Sequence, residues 1–256
     1  MPSLTPYRQE LDYGYAPGFF PSMECLLKRP ECARRVLLKT EAKGTEAAEK
    51  LIELAERLHV RVEWADKALR WISGKDNCYA AVVFEKQEQT LAEDKPHIVL
   101  HNPSDSGNAG TILRTALGLG FEDIAVIRPC VDLFDPRTVR SSMGSLFSLR
   151  LHVYDRFEDY RESYPVHQLY PFMLDASIPL EKAIHEKVPN RYSLVFGNEG
   201  SGLPPVFSSY GQPVRIESNQ KIDSLNLSVA AAIGMYAFSG VTSLRAHPGT
   251  EEHADS

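Results

Sequence analysis

From His97 onward, short apolar runs alternate with glycine- and asparagine-rich turns and with helical stretches. No other feature constrains the fold as strongly. His97–His101, Asp123–Ile127, Ser148–Val153, Tyr170–Leu174, Tyr192–Phe196 and Pro213–Ile216 read as strands, and Thr111–Leu119, Thr138–Phe147 and about Leu225–Phe238 as helices. Strands rich in Val and Ile that alternate with helices belong in a mostly parallel sheet covered on both faces, because each parallel connection lays a crossover on the sheet. The expected fold class is α/β.

The earlier residues read as a smaller α/β unit. Arg35–Leu38, His59–Trp64 and Ala80–Phe84 have strand character. Between the first two, Thr45 precedes a helix with apolar positions at Ala48, Leu51, Ile52, Leu54, Ala55 and Leu58, three or four apart. Leu69–Ile72 reads as helical and stops near Gly74. The charged stretch Glu85 to Lys95 has little apolar content and marks the domain boundary. The expected organisation is residues 1–90, a linker at 91–96, a second domain at 97–245 and a disordered tail at 246–256.

With 34 acidic and 28 basic side chains, the net charge is -6, which argues against a general cationic coat for nucleic acid. Residues 1–95 carry 15 basic and 16 acidic groups, and the remainder 13 and 18. Within the first part, Lys28, Arg29, Arg34, Arg35 and Lys39 face only Glu31, and suit either a phosphate-contacting patch or a solvated face. No apolar stretch is long enough for a membrane span, and the N-terminus lacks the pattern of a signal peptide. Cys25, Cys32, Cys78 and Cys130 form no C-x-x-C pair, so a reducing cytoplasm and no metal are expected. Trp64 and Trp71, beside Val62, Leu69 and Ile72, read as core, and Tyr13, Tyr15, Phe19 and Phe20 as docking residues.

Three turns carry the candidate chemistry. Each follows an apolar run, which places them together at the carboxyl edge of the sheet, where ligands bind in open α/β folds. The first, Asn102–Gly110, leads into a helix that carries Arg114, with Asn108 as its N-cap candidate. The second, Phe196–Pro204, has three glycines in six residues around Glu199 and lets the backbone approach a ligand closely. The third, Ser218–Asn226, opens the final helix, with Ser224 as a possible cap. The first turn lacks G-x-G-x-x-G spacing, which disfavours a nicotinamide dinucleotide site.

Together the turns resemble the signature motifs of the SpoU (TrmH-like) RNA ribose methyltransferases of the SPOUT superfamily. Asn108–Ala116 looks like the first motif, Leu194–Leu203 the second and Ser224–Ala230 the third, while Arg140–Ser145 resembles the segment between the first two. The resemblance covers about Pro96 to Ser243. Residues 1–90 are similar to a small RNA-binding domain of the ribosomal-protein L30e type. Two places depart from the pattern: Ile216-Glu217-Ser218 with Gln220 before the third motif, and Asn77-Cys78-Tyr79-Ala80 in the first domain.

The resemblance implies a C-terminal domain tied in a trefoil knot, S-adenosylmethionine held among the knotted loops, and a homodimer whose active sites draw on both subunits. It places the donor against Gly197, Ile216, Leu225, Asn226, Asn198, Gly202 and Ser224. It implies methylation of a ribose 2′-hydroxyl, in ribosomal RNA ahead of transfer RNA. The alternative is a knotted RNA-binding protein without catalysis. The residues expected to act are Arg114, Asn108, Glu199 and Asn226. A guanidinium stays protonated far above neutral pH, so Arg114 is expected to fix a phosphate and stabilise developing alkoxide charge. Glu199 is the better proton acceptor on chemistry alone. Lys28, Arg29, Arg34 and Arg35, with Arg114, are expected to meet RNA.

Overall fold

A computed structural model describes residues 4–73, 77–219 and 221–242. The first sheet contains β1 (Tyr13–Pro17), β2 (Ala33–Leu38), β3 (Arg61–Trp64) and β4 (Ala80–Glu85) in the order β1-β4-β2-β3. β4 runs antiparallel to β1 and β2, and β2 and β3 are parallel. Three helices accompany this sheet: α1 (Phe19–Lys28), α2 (Glu46–Arg57) and α3 (Asp66–Ser73). The hydroxyl of Thr45 caps α2 by accepting from the Ala48 amide, and the helix buries Ala48, Leu51, Leu54 and Ala55.

The second sheet is parallel, with strand order β7-β6-β5-β10-β8. Its strands are β5 (His97–His101), β6 (Asp123–Ile127), β7 (Arg150–Tyr154), β8 (Gln168–Pro171) and β10 (Tyr192–Phe196). The helices are α4 (Ser106–Gly118), α5 (Pro136–Ser141), α6 (Phe157–Ser163), α7 (Leu180–His185) and α8 (Leu227–Thr242). β9 (Ile178–Pro179) and β11 (Val214–Arg215) form a separate parallel pair. Strand order reverses between β5 and β10, so the crevice at their carboxyl ends is the topological switch point of the sheet.

Several elements differ from the sequence reading. α4 begins five residues before Thr111, so Gly107 and Gly110 lie inside a helix rather than in a loop. Gly110 is there because α5 packs against it. A Cβ on Gly110 would stand 1.9 Å from the Ser141 hydroxyl and 2.7 Å from the Thr138 carbonyl oxygen. The expected helix Thr138–Phe147 is α5 followed by a separate tight turn, because Met143 and Gly144 both take positive φ. Trp64 is 45% exposed rather than core. Trp71 is half-buried, edge-on to Tyr15. The tail 246–256, residues 243–245, Gly74 and Gln220 lie outside the described residues.

The stretch between the sheets is pinned to the second one, despite its polar composition. Gln89 donates from its amide to the Leu151 carbonyl at 2.8 Å, Leu91 is buried, and the Ala92 amide donates to buried Asp123 at 2.8 Å. His97 Nε2 meets the Ala92 carbonyl at 2.8 Å, and His167 Nε2 meets the Glu93 carbonyl at 3.1 Å. The remaining ring nitrogens of both histidines engage the buried pair of hydroxyls on Tyr160 and Ser193. Asp123 is also held by two hydrogen bonds from Arg150, each 2.6 Å.

Candidate active site

The loops after β5 and β10 exit side by side from adjacent parallel strands. Glu199 joins them. One carboxylate oxygen accepts from the Ser104 amide (3.0 Å), the Ser104 hydroxyl (2.7 Å) and Asn198 Nδ2 (3.3 Å). The other accepts from the Asp105 amide (3.1 Å) and Asn108 Nδ2 (3.3 Å). Asn108 Oδ1 in turn accepts from Asn226 Nδ2 at 3.1 Å. Glu199, Asn108 and Asn226 thus form one hydrogen-bonded line across the three turns.

The caps differ from those expected. Asp105, not Asn108, caps α4 by accepting from the Asn108 amide. That leaves the Asn108 side chain free to bridge the other two turns. Asn226, not Ser224, caps α8: its Oδ1 accepts from the amide and hydroxyl of Ser228. The third turn follows β11, which pairs with β9 and not with the main sheet. It arrives over the end of β8, where Phe172 bridges to Val214.

The second turn folds tightly on itself. Asn198 and Gly202 exchange backbone hydrogen bonds at 3.2 and 3.0 Å, and Asn198 Oδ1 gathers the amides of Gly200 and Ser201. Gly197 is required at the hinge, since a Cβ there would stand 2.2 Å from the Gly202 carbonyl carbon. Between this turn and the third lies a cleft of about 180 Å³. Gly197, Asn198, Glu199 and Gly202 form one wall, and Ile216, Ser224 and Leu225 another. Phe172, Leu174 and Phe196 add apolar surface.

Residues 95–236, more than half of the chain, match the SpoU rRNA Methylase family. The chain belongs to that family. An uncharacterized tRNA/rRNA methyltransferase from Synechocystis is 34% identical over 156 residues, covering 58% of this chain and 56% of that one. A 23S rRNA guanosine 2′-O-methyltransferase of Bacillus subtilis is 27% identical over 165 residues, covering 62% of this chain and 64% of that one. The chain therefore spans somewhat over half the length of these relatives. An AdoMet-bound rRNA methyltransferase from Sinorhizobium meliloti has the same fold, with a TM-score of 0.77 at 23% identity, covering 92% of this chain and 90% of that one.

In this SpoU domain, six of the residues expected to hold the donor line the cleft: Gly197, Asn198, Gly202, Ile216, Ser224 and Leu225. Asn226 stands behind them, bonded to Asn108. Leu174, exposed at the mouth, was missed, because a leucine at the end of an apolar run reads as core. Arg114 lies elsewhere. It sits on the exposed stripe of α4 with Gly107, Thr111 and Gly118, away from the cleft lining, and makes no hydrogen bond or ion pair among the described residues.

Glu199 does not suit the proton-acceptor role expected of it. Burial pushes its carboxyl up, but the Ser104 hydroxyl and the backbone amides outweigh that and leave it below the ordinary carboxylate range. Five donors already occupy its two oxygens, and through them it ties the first and second turns together. The expected cationic patch is also changed. Arg34 pairs with Asp12 at 2.8 Å and Glu85 at 3.7 Å, and Arg35 with Glu63 at 3.4 Å. Arg29 donates to the Phe147 carbonyl and pairs with Glu31. Of the five cations, only Lys28 forms no ion pair among the described residues: acids remote in sequence fold onto Arg34 and Arg35, and near neighbours Glu31 and Glu41 pair with Arg29 and Lys39.

Proposed function

We propose that this chain is an S-adenosylmethionine-dependent RNA methyltransferase acting on a ribose 2′-hydroxyl, with ribosomal RNA favoured over transfer RNA. The observation that carries the reading is the cleft bounded by the second and third turns, with its line of Glu199, Asn108 and Asn226. The donor fits its chemistry. Three lining residues are glycines, which offer only main chain, and Phe172, Leu174, Ile216 and Leu225 supply apolar walls for a flat purine. The names of the relatives and the AdoMet-bound neighbour support the same activity.

Bound there, the donor would supply an activated methyl group for in-line displacement. The chain's own contribution is alignment. The Asn108–Asn226 contact fixes the third turn against the first, so ribose and donor meet in one orientation. Arg114 stays protonated and holds a phosphate by its fork. Because Arg114 lies away from its own cleft, we place it at the cleft of a second copy. A homodimer is supported by α8, which exposes Val229, Ile233 and Tyr236 on one apolar stripe. We also assign residues 1–90 to RNA binding and the loops after β10 and β11 to a trefoil knot. The meeting of those loops around one cleft supports the knot. The four free thiols support a reducing compartment.

Calorimetric titration with S-adenosylmethionine tests the reading, with Asn226→Ala alongside. Micromolar binding that weakens in the variant is expected, followed by 2′-O-methylation mapped in ribosomal RNA. No binding in the presence of total RNA would refute it, and methylation confined to transfer RNA would move the substrate.

A further inference from the structure

Four large aromatic side chains are well exposed among the described residues: Phe20 (54%), Trp64 (45%), Tyr79 (40%) and Tyr236 (72%). Tyr236 belongs to α8. The other three share one edge of the first sheet. Trp64 ends β3 and is paired with Leu38 at the end of β2. Leu38 is paired with Ala80, which starts β4 immediately after Tyr79. Gly18, just past β1, donates to the Ala80 carbonyl at 2.7 Å, and Phe20 follows in the first turn of α1. Single exposed apolar residues are ordinary on a protein surface, but three aromatics in a row along one edge are not.

Basic side chains stand among the aromatics, with acids beside them. Lys39 Nζ lies 5.0 Å from the centre of the Tyr79 ring. Lys39 and Arg70 line one hollow with Cys78, Glu41 and Asp66, and Lys39 pairs with Glu41 at 3.1 Å. Cys78 is itself within reach of the Arg140 guanidinium on α5, whose charge works against the upward push of burial on its thiol. α5 then leads to the active site. Arg137, in its first turn, donates to both carboxylate oxygens of Asp135 at 3.0 Å, Ser141 donates to the Ser106 carbonyl at 2.9 Å, and Gly110 packs on its last turn. A six-residue helix is about 9 Å long, so the aromatic edge and the first catalytic turn are joined by one short rigid element. Pro21 and Glu24 of α1 close the same junction against Gly144.

We propose that this edge binds single-stranded RNA flanking the methylated nucleotide: bases stack on Trp64, Tyr79 and Phe20, and Lys39, Arg70, Arg140 and Arg137 track the phosphates toward the cleft. The inference rests on the RNA methyltransferase reading and moves the RNA contact away from Lys28–Arg35. That cluster sits by the start of β2, at the opposite edge. Aromatic platforms beside cations are how proteins hold unpaired nucleotides, since every base offers a π-face. A chain with net charge -6 cannot rely on field strength alone, and stacking supplies affinity that salt does not screen.

The test uses the full chain, a fluorescently labelled oligouridylate and total ribosomal RNA. Trp64→Ala is expected to weaken oligouridylate binding by about tenfold, Trp64→Phe to restore most of it, and Arg34→Ala to leave it unchanged. Arg140→Gln should lower the salt dependence of log K by about 0.7. In a Trp71→Phe background, the oligonucleotide should quench the emission of Trp64. S-adenosylmethionine binding, measured in parallel, should be unaffected by Trp64→Ala. Wild-type RNA affinity in Trp64→Ala and Tyr79→Leu, with no quenching, would overturn the platform alone. Absence of both RNA and donor binding in the wild type would overturn the methyltransferase reading with it.

Discussion

Replacing Glu199 by Gln separates its two possible roles. Each carboxylate oxygen accepts from two or three donors. A glutamine amide keeps one acceptor and turns an NH2 toward the other set. At least two hydrogen bonds to a charged acceptor are lost, each worth about 1.5–3 kcal/mol when sheltered. The site is only partly buried, and water takes up some of the loss, so about 1–2 kcal/mol of folding stability should disappear. For a chain of this size that is a fall in Tm of roughly 2–8 °C. The same slackening should weaken S-adenosylmethionine binding, because Glu199 fixes a wall of the cleft. Differential scanning calorimetry and donor titration read both effects. If Glu199→Gln melts and binds donor as the wild type does, yet loses methyl transfer with the acid limb of its pH profile, Glu199 is a base and the structural assignment is wrong.

Four further outcomes follow from the packing and charges. Gly110→Ala drives a methyl group into Ser141 and the Thr138 carbonyl. It should cost about 1–3 kcal/mol and be read as a lower denaturation midpoint, with Gly118→Ala, where nothing lies nearby, as the harmless control. Burial lowers His97 from the ordinary 6.5 to about 4, against the opposing bond to the Ala92 carbonyl. The unfolded chain therefore takes up a proton that the folded one refuses. Stability should be full above about pH 6.5 and fall by about 3 kcal/mol as pH drops toward 4, and His97→Gln should flatten that slope in urea titrations. Tyr236→Glu on α8 should give monomers by light scattering and abolish methyl transfer while S-adenosylmethionine still binds; an active monomer would sink the shared site. Asp123→Asn removes the negative charge and one of the two acceptors that Arg150 and the Ala92 amide share, and should cost about 2–3 kcal/mol and speed proteolysis near Ala92.

Much of the second sheet was legible because its strands are continuous apolar runs, and β5 and β10 fall where the sequence places them. The start of α4 was not legible. Gly107 and Gly110 signal a loop by propensity, and only contact with α5 explains why a helix accepts them. The cleft residues could be named from the turns, but the line through Asn108 could not, since Asp105 looks no better a cap than its neighbours. The cationic cluster failed for a related reason. Sequence distance hides Asp12, Glu63 and Glu85, which the sheet brings onto Arg34 and Arg35. Trp64 reads as core from its apolar neighbours and Phe20 as a docking residue, and only strand ends and helix direction reveal that they face outward.

The pinned stretch between the sheets has a consequence for selectivity. Main-chain bonds to Asp123, His97 and His167 remove the slack that the eleven residues 86–96 would otherwise give. The aromatic edge and the cleft are therefore held at a constant separation, as the two jaws of a caliper locked at one opening. On the proposed reading, an RNA would satisfy both only when its unpaired bases and its target sugar lie that distance apart. For that proposed substrate, an intervening strand longer by one nucleotide would meet the two sites out of register, before any base is read.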